Sequence, residues 1–439
     1  MARAGNASLL SAAPYAGPGR GAWITLAILC FVYVLNFLDR QLLSILAKPI
    51  QDDLGVTDGQ LGRIGGLYFA LFYCLISIPV GWLADKTNRT RVLAFACALW
   101  SAATVACGLA SGYPQLVAAR MAVGVGEAGG VPPSYAIISD LFPPGRRGTA
   151  LGLYNLGPPL GQALGVAFGA SIAAAYNWRS AFLSLGAVGI GAALVVFLFV
   201  REPKRGGLDV APPPVTDKVA PGGFWATCRM FFSRPVLLLV ALASGATQFI
   251  TYAVLNFTTL FLMREKGMTL SQIALYYALL IGVAISAGIY TSGRLVDRLT
   301  PKSKQAYALV PAVALTLAVP FFVGFVWGPT WPIAMAFLAV PTFLNYFYLS
   351  PAVALVQEEV APHQRVLSGA LLLLVMNLIG LGLGPTYLGA VSDHFRASHP
   401  HNSLQLAFYS LVPFYFVAVL LFLALARALK KEAQSGDAL

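Results

Sequence analysis

Gly81-Trp82-Leu83-Ala84-Asp85-Lys86 and Gly293-Arg294-Leu295-Val296-Asp297-Arg298 share one pattern: a glycine, three residues, an acid and then a base. Each copy closes an apolar run and opens onto further basic residues, Arg89 and Arg91 after the first, Lys302 and Lys304 after the second. A second echo follows at nearly the same offset, where Asp140, Pro144 and Arg147 return as Glu358, Pro362 and Arg365. Two echoes at similar spacing are not a chance event, so the chain reads as an internal duplication.

Outward from these motifs, apolar runs of about 20 residues recur along nearly the whole chain, each long enough to cross about 30 Å of hydrocarbon as a helix. Of 439 residues, 58% are hydrophobic and 10% charged, with a net charge of +12, whereas a soluble domain is about 25% charged. The mean hydropathy of +0.74 fits a chain whose solvent is the bilayer. The runs predict an all-α membrane protein of twelve transmembrane helices in two six-helix bundles related by a pseudo-two-fold axis. The helices are expected at Trp23–Ile45, Gly62–Ala84, Val92–Ser111, Gln115–Ser139, Gly148–Ala175, Ala181–Val200, Val236–Met263, Ser271–Leu295, Gln305–Val326, Pro332–Val356, Leu367–Val391 and Leu404–Leu429. Residues 1–22 then form an N-terminal tail, 23–200 and 236–429 the bundles, 201–235 a linker with a proline run at Pro212 to Pro214, and 430–439 a second tail. No apolar core of a cleaved signal precedes Trp23, so the first helix is expected to be signal and anchor together.

The basic residues sit in the connections. With the N-terminus cytoplasmic, the cytoplasmic side gains Lys86, Arg89, Arg91, Arg146, Arg147, Arg201, Lys204, Arg205, Arg294, Arg298, Lys302, Lys304, Arg365, Lys430 and Lys431, and the other side keeps Lys48, Arg63, Arg179, Arg264, Lys266 and Arg396. That bias predicts both termini inside, and the short loops fit a bacterial inner (plasma) membrane. No basic patch interleaved with aromatics is present, which argues against nucleic acid. The five cysteines lack metal-ligand spacing, so neither metal, cofactor nor disulfide is expected. No nucleophile and base stand together as an enzyme would need. A monomer among membrane lipids is expected.

The Gly-x-x-x-Asp-(Arg/Lys) loop between helices 2 and 3, weakly repeated between helices 8 and 9, resembles the hallmark of the major facilitator superfamily, and the resemblance runs from Trp23 to Leu429. It implies alternating access around a midplane site. It also implies gating roles for Gly81, Asp85, Arg89, Arg91, Arg147, Asp297 and Arg365, with Gly81 able to admit a close helix. A narrower resemblance, to the Spinster branch, is carried by Asn36-Phe37-Leu38-Asp39-Arg40, by Arg120 with Gly124-Val125-Gly126-Glu127, by Pro132-Pro133-Ser134-Tyr135, by Ser139-Asp140-Leu141-Phe142-Pro143-Pro144 and by Tyr176-Asn177-Trp178-Arg179. This branch implies export of lysolipids or sphingoid lipids with proton coupling.

An ionisable group at membrane depth costs about 2.5–3.5 kcal/mol on insertion scales, so each one is a functional candidate. By the helix boundaries above, only Asp39, Arg40, Arg120 and Glu127 qualify. Arg120 and Glu127 share one helix face about 10.5 Å apart, too far to pair with each other. Asp39 and Arg40 are neighbours that point about 100° apart. A crossed set follows, Asp39 with Arg120 and Glu127 with Arg40. Asp39 and Glu127 are the proton-site candidates, and Arg40 and Arg120 are their partners or ligands for an anionic substrate. The competing reading is a static pair of buried salt bridges fixing helices 1 and 4.

Neutral groups are candidates to line the cavity: Asn36, Tyr154 and Asn155 in the first half, and Gln248, Thr251, Tyr252, Asn256, Asn345, Tyr346 and Asn377 in the second. Gly124-Val125-Gly126-Glu127-Ala128-Gly129 matches a dinucleotide fingerprint but follows no strand, so close helix packing is the better reading. Gly152, Gly157, Pro158, Pro159 and Gly161 in helix 5 fit either a rocking surface, as in antiporters, or a simple kink. The function expected is proton-coupled export or exchange of an amphipathic anionic lipid, with a water-soluble organic anion or drug as the alternative substrate.

Overall fold

The computed structural model describes residues 19–143, 146–205, 224–361 and 364–436. Pro144, Pro362, His363, the run Pro212 to Pro214, most of the N-terminal tail and the last three residues lie outside the described part, as does the side chain of Asp85.

All the regular structure among the described residues is helical. Ten helices among the described residues are long and apolar enough to cross a membrane. Helices 1, 3, 6, 7 and 9 are Arg20–Ile45, Arg89–Gly108, Trp178–Phe199, Pro235–Arg264 and Ala306–Trp327. Helices 4 and 5 complete the twelve but are each broken in two, Tyr113–Glu127 with Val131–Leu141 and Arg147–Tyr154 with Gly157–Ala175. The break in helix 4 corrects the expectation of one continuous helix there, and the break in helix 5 falls at the glycine-proline run read as a rocking surface or a kink. Proline has no N–H and its ring clashes with the carbonyl four residues back, and Pro132, Pro133, Pro158 and Pro159 put those clashes on Ala128, Gly129, Tyr154 and Asn155. Helices 10 and 11 leave regular α geometry ahead of prolines as well. Asn345–Tyr348 is a 3₁₀ turn ahead of Pro351, and Asn377–Leu383 is π-helical ahead of Pro385.

The duplication is visible in backbone detail. The two non-helical glycines with positive φ, Gly55 at 64° and Gly267 at 72°, lie 212 positions apart (267 − 55). Two residues beyond each, Thr57 and Thr269 open helices 2 and 8 with a capping box closed by Gln60 and Gln272. Helix 2 then runs from Asp58 to Lys86, and helix 8 from Leu270 to Leu299, each with one π-helical turn near its start. Two residues before each glycine stands an acid that fastens the start of a later helix. Asp53 accepts from Trp178 Nε1 at 3.0 Å and from Arg179, whose hydrogen bond holds its carboxyl below the usual range. Glu265 accepts from the backbone N–H groups of Leu404 at 2.8 Å and Gln405 at 3.1 Å, at the start of helix 12 (Ser403–Gln434).

Glycines allow the tight packing within the first bundle. Helix 5 lays Gly157, Gly161 and Gly165 against Tyr33, Phe37 and Leu38 of helix 1, and Gly124 and Gly126 of helix 4 meet Phe69 and Trp100. Gly81 does not behave this way: a Cβ there would meet nothing within 4 Å, so no helix packs on it in this conformation. Apolar side chains such as Phe95, Leu198, Val283 and Leu420 face outward, where hydrocarbon would surround them.

Between the bundles, helix 2 packs on helix 11 (Arg365–Arg396), helix 5 on helix 8 and helix 1 on helix 7. Among the described residues, the linker-end segments Val131–Leu141 and Arg147–Tyr154 make at most sparse contact with Leu349–Glu359 and Arg365–Met376. The molecule is closed at the end away from the linker, the far end, and parted at the linker end.

Candidate functional site

The four ionisable groups at depth meet where helices 1 and 4 face each other. Arg40 donates from Nε to Glu127 Oε2 at 2.6 Å, and Arg120 donates from Nη1 to Asp39 Oδ1 at 3.3 Å. This is the crossed arrangement that the seven-residue spacing predicts. Asp39, Arg120 and Glu127 are each no more than 2% exposed. The two pairs are not equivalent. Asp39 is held from a second side by Thr104 of helix 3, whose hydroxyl donates to Oδ2 at 2.6 Å, whereas Glu127 keeps its Oε1 buried with no hydrogen-bond partner.

Three residues of this site carry no signal of their own in the sequence. Thr104 is one, and Phe69 and Tyr73 of helix 2 are the others. The Arg40 guanidinium lies 4.8 Å from the ring centre of Phe37, 5.2 Å from Phe69 and 4.9 Å from Tyr73. Such an aromatic surround takes a weakly hydrated planar cation well and an ammonium less well. Tyr252 of helix 7, in the other bundle, lies within electrostatic reach of Arg40. Asp39 and Arg120 are fully buried beside Thr104 within the first bundle, and Arg40, on helix 1, lies on the helix that packs against helix 7 of the second.

The neutral candidates separate into groups. Thr251, Asn345 and Tyr346 do line one cleft, with Val254, Leu255 and Leu338. Asn345 donates to Tyr415 Oη at 2.9 Å and leaves its own Oδ1 buried and unpartnered. Gln248 bonds to Asn377 at 3.2 Å, and Asn256 turns its amide onto the Tyr252 carbonyl of its own helix. Asn36 is buried with an unpartnered Oδ1. Tyr154 is fully buried and stacks on Tyr33 with ring centres 4.3 Å apart, so it is packing and not an open wall; Asn155 is exposed and accepts from Tyr135 Oη at 2.6 Å.

The gating candidates lie at the linker end, and their described bonds stay within one bundle. Arg89 binds Asp140 and Glu202, each at 2.6 Å. Arg147 donates to the Phe142 carbonyl and Arg365 to that of Gln357. Arg91 and Asp297 are exposed.

The family pattern of the Major Facilitator Superfamily matches residues 29–385. An MFS-type efflux pump of Mycolicibacterium smegmatis is 33% identical over 378 residues, 86% of each chain. Human protein spinster homolog 1 is 27% identical over 409 residues, 88% of this chain and 76% of that one. The crystal structure of a bacterial homolog to the human lysosomal transporter Spinster, inward-facing and unoccupied, matches 94% of this chain and 99% of its own, with a TM-score of 0.87 and 28% identity. A duplicated twelve-helix fold, buried charge between helices 1 and 4 and these likenesses have one reading: the chain belongs to the major facilitator superfamily, as a multi-pass secondary transporter of a small molecule similar to the Spinster branch.

Proposed function

We propose that this transporter couples proton movement to the export or exchange of an amphipathic anionic lipid with a single chain, such as a lysophospholipid or a sphingoid phosphate. The observation that carries the reading is the asymmetry of the two crossed pairs. Asp39 is fastened by Arg120 and Thr104, whereas Glu127 has one oxygen on Arg40 and the other free. Arg40 favours the charged form of Glu127 while it holds it. A carboxylate stripped of its counter-ion at that depth is neutralised by a proton. Any step that draws Arg40 away, whether a conformational change or an arriving anionic headgroup, thus moves a proton at Glu127. Asp39 is the second proton site, less readily freed.

Two features support a lipid. Arg40 offers a phosphate its fork of donors within aromatic walls, and the facing bundle offers a narrow cleft with Val254, Leu255, Ile281, Ile285, Phe322 and Leu338 among its walls, a surface suited to an alkyl chain. The parted linker end is cytoplasmic by its basic residues, so the conformation is inward-facing in a bacterial inner membrane with both termini inside. The protein acts as a monomer, with Gly81, Asp85, Arg89, Arg91, Arg147, Asp297 and Arg365 engaging across the bundles when this end closes. A water-soluble organic anion or drug is the second reading, favoured by the likeness to an efflux pump.

The test is purified protein in liposomes under an imposed pH gradient, offered labelled lysophospholipid, sphingoid phosphate and soluble organic acids in separate runs. Gradient-driven movement of a single-chain lipid, with binding retained and the gradient response lost in Glu127→Gln, is the expected result. Unchanged gradient-driven movement in Glu127→Gln would sink the coupling role. Movement of the soluble acids alone would install the second reading.

A further inference from the structure

We propose that the far end is held shut by a latch of three residues outside the central site, Asp393, Asp58 and Arg264, and that this latch sets how often that end opens. Asp393 belongs to helix 11 in the second bundle, but it caps helix 2 in the first. Its Oδ2 accepts from Thr57 Oγ1 at 2.6 Å and from the backbone N–H of Gly59 at 2.8 Å, and its Oδ1 accepts from the N–H of Asp58 at 3.0 Å. The first N–H groups of any helix lack partners within it, and the positive end of the helix favours an anion. Here the N–H groups of Asp58 and Gly59 are met from the other bundle, so parting the bundles leaves those two without partners while the Thr57–Gln60 capping box stays.

Beside this cap, the buried Asp58 carboxylate spans the same seam. Arg264 of helix 7 holds it by two donors, at 3.0 and 2.8 Å, Ser392 of helix 11 donates at 2.6 Å, and Gln51 of its own bundle donates at 2.6 Å. Arg264 also reaches Ser403 at 3.2 Å. Opening the far end leaves Asp58 without the Arg264 and Ser392 donors. The two helices touch through backbone next to the latch, where Gly62 and Gly66 lie against Pro385 and Gly382.

The duplicated interface has no such device. Helix 8 begins with the same capping box, but Leu270 stands where helix 2 has Asp58, and Ala175 is found 218 positions before Asp393 (393 − 218). Among the described residues, helices 5 and 8 meet through small apolar groups, as Gly282 does against Ala163. One seam is polar and latched, and the other is smooth. The restraint on the far end therefore lies along helices 2 and 11, and the seam of helices 5 and 8 adds only apolar packing to it among the described residues.

Hydrogen–deuterium exchange on the full-length protein tests this without any substrate, so its outcome is independent of the transport reading. In Asp393→Ala, exchange is expected to rise about five- to tenfold over residues 58–63 and 385–396, the scale of a lost helix cap. It should fall over 131–141 and 349–359 as the linker end closes in exchange. The start of helix 6, capped by Asn177 within its own bundle, is the control and should not change. Asp393→Asn, which keeps an acceptor oxygen, should shift the same segments less and serves if the alanine variant does not fold. A rise confined to 58–63 with no change at the linker end makes Asp393 a local cap and overturns the latch, as does a uniform rise at every segment.

Discussion

The two bundles share a backbone plan and differ in what it carries at mid-depth. Displaced by the 212 positions that relate helices 1 and 7, Asp39 and Arg40 fall on Thr251 and Tyr252; displaced by the 218 that relate the Asp140 and Glu358 echoes, Arg120 and Glu127 fall on Leu338 and Asn345. All four charges of the first bundle have neutral counterparts in the second. Thr251, Leu338 and Asn345 line the cleft there, so the cleft occupies the position equivalent to the ion pairs. Duplication supplied two matching positions, of which one is filled by charge and the other holds a narrow, mostly apolar cleft of about 20 Å³. A polar headgroup and a hydrocarbon chain need just such unlike neighbours, and a uniformly polar solute does not.

The comparison can be broken most forcefully by giving the first bundle a residue of the second. Arg120→Leu copies Leu338 and leaves Asp39 buried without its counter-ion, which is expected to cost about 3–5 kcal/mol. Thermal unfolding in detergent should show this as the largest loss of any single substitution at the site. The double change Asp39→Thr with Arg120→Leu reproduces the second bundle's pattern and should recover most of the loss. If the double variant is no more stable than the single one, the two residues are not a coupled pair.

A smaller change sharpens the distinction within the first bundle. Thr104→Val keeps shape but removes the hydroxyl that donates to Asp39, a hydrogen bond to a charged acceptor and so worth about 1.5–3 kcal/mol. With Asp39 freed on one side, the two pairs become more alike. The pH dependence of transport should then alter in shape, where loss of a purely structural contact would lower the rate equally at every pH.

Much of this was legible in the sequence because the informative residues are rare in their surroundings. Four ionisable side chains within apolar helices stand out, and a seven-residue spacing leaves them only crossed partners. Thr104, Phe69 and Tyr73 do not stand out, since hydroxyls and aromatics are common in such helices and only the tertiary packing brings these three to Arg40 and Asp39. The breaks in helices 4 and 5 follow from prolines that are plain to read, but apolar periodicity runs straight through them. Asp58 is hidden by a boundary: counting helix 2 from Gly62 leaves it in a loop, whereas the capping box Thr57-x-x-Gln60 moves the start back and makes it a first-turn acid.

The smallest expected effect lies in the cleft of the second bundle. Asn345→Leu removes one neutral hydrogen bond, from Asn345 to Tyr415, and an amide oxygen that already lacks a partner, so the loss of stability should be only about 0.5–1.5 kcal/mol. Filling that position with a branched apolar side chain narrows the cleft without touching any charge. Entry of a long alkyl chain should weaken, and the response to a pH gradient should persist for whatever substrate still enters. Binding compared across lysolipids of increasing chain length reads this directly. A penalty that grows with chain length places the chain in the second bundle's cleft, and an equal penalty at every length separates the cleft from the substrate and removes the division of labour between the bundles.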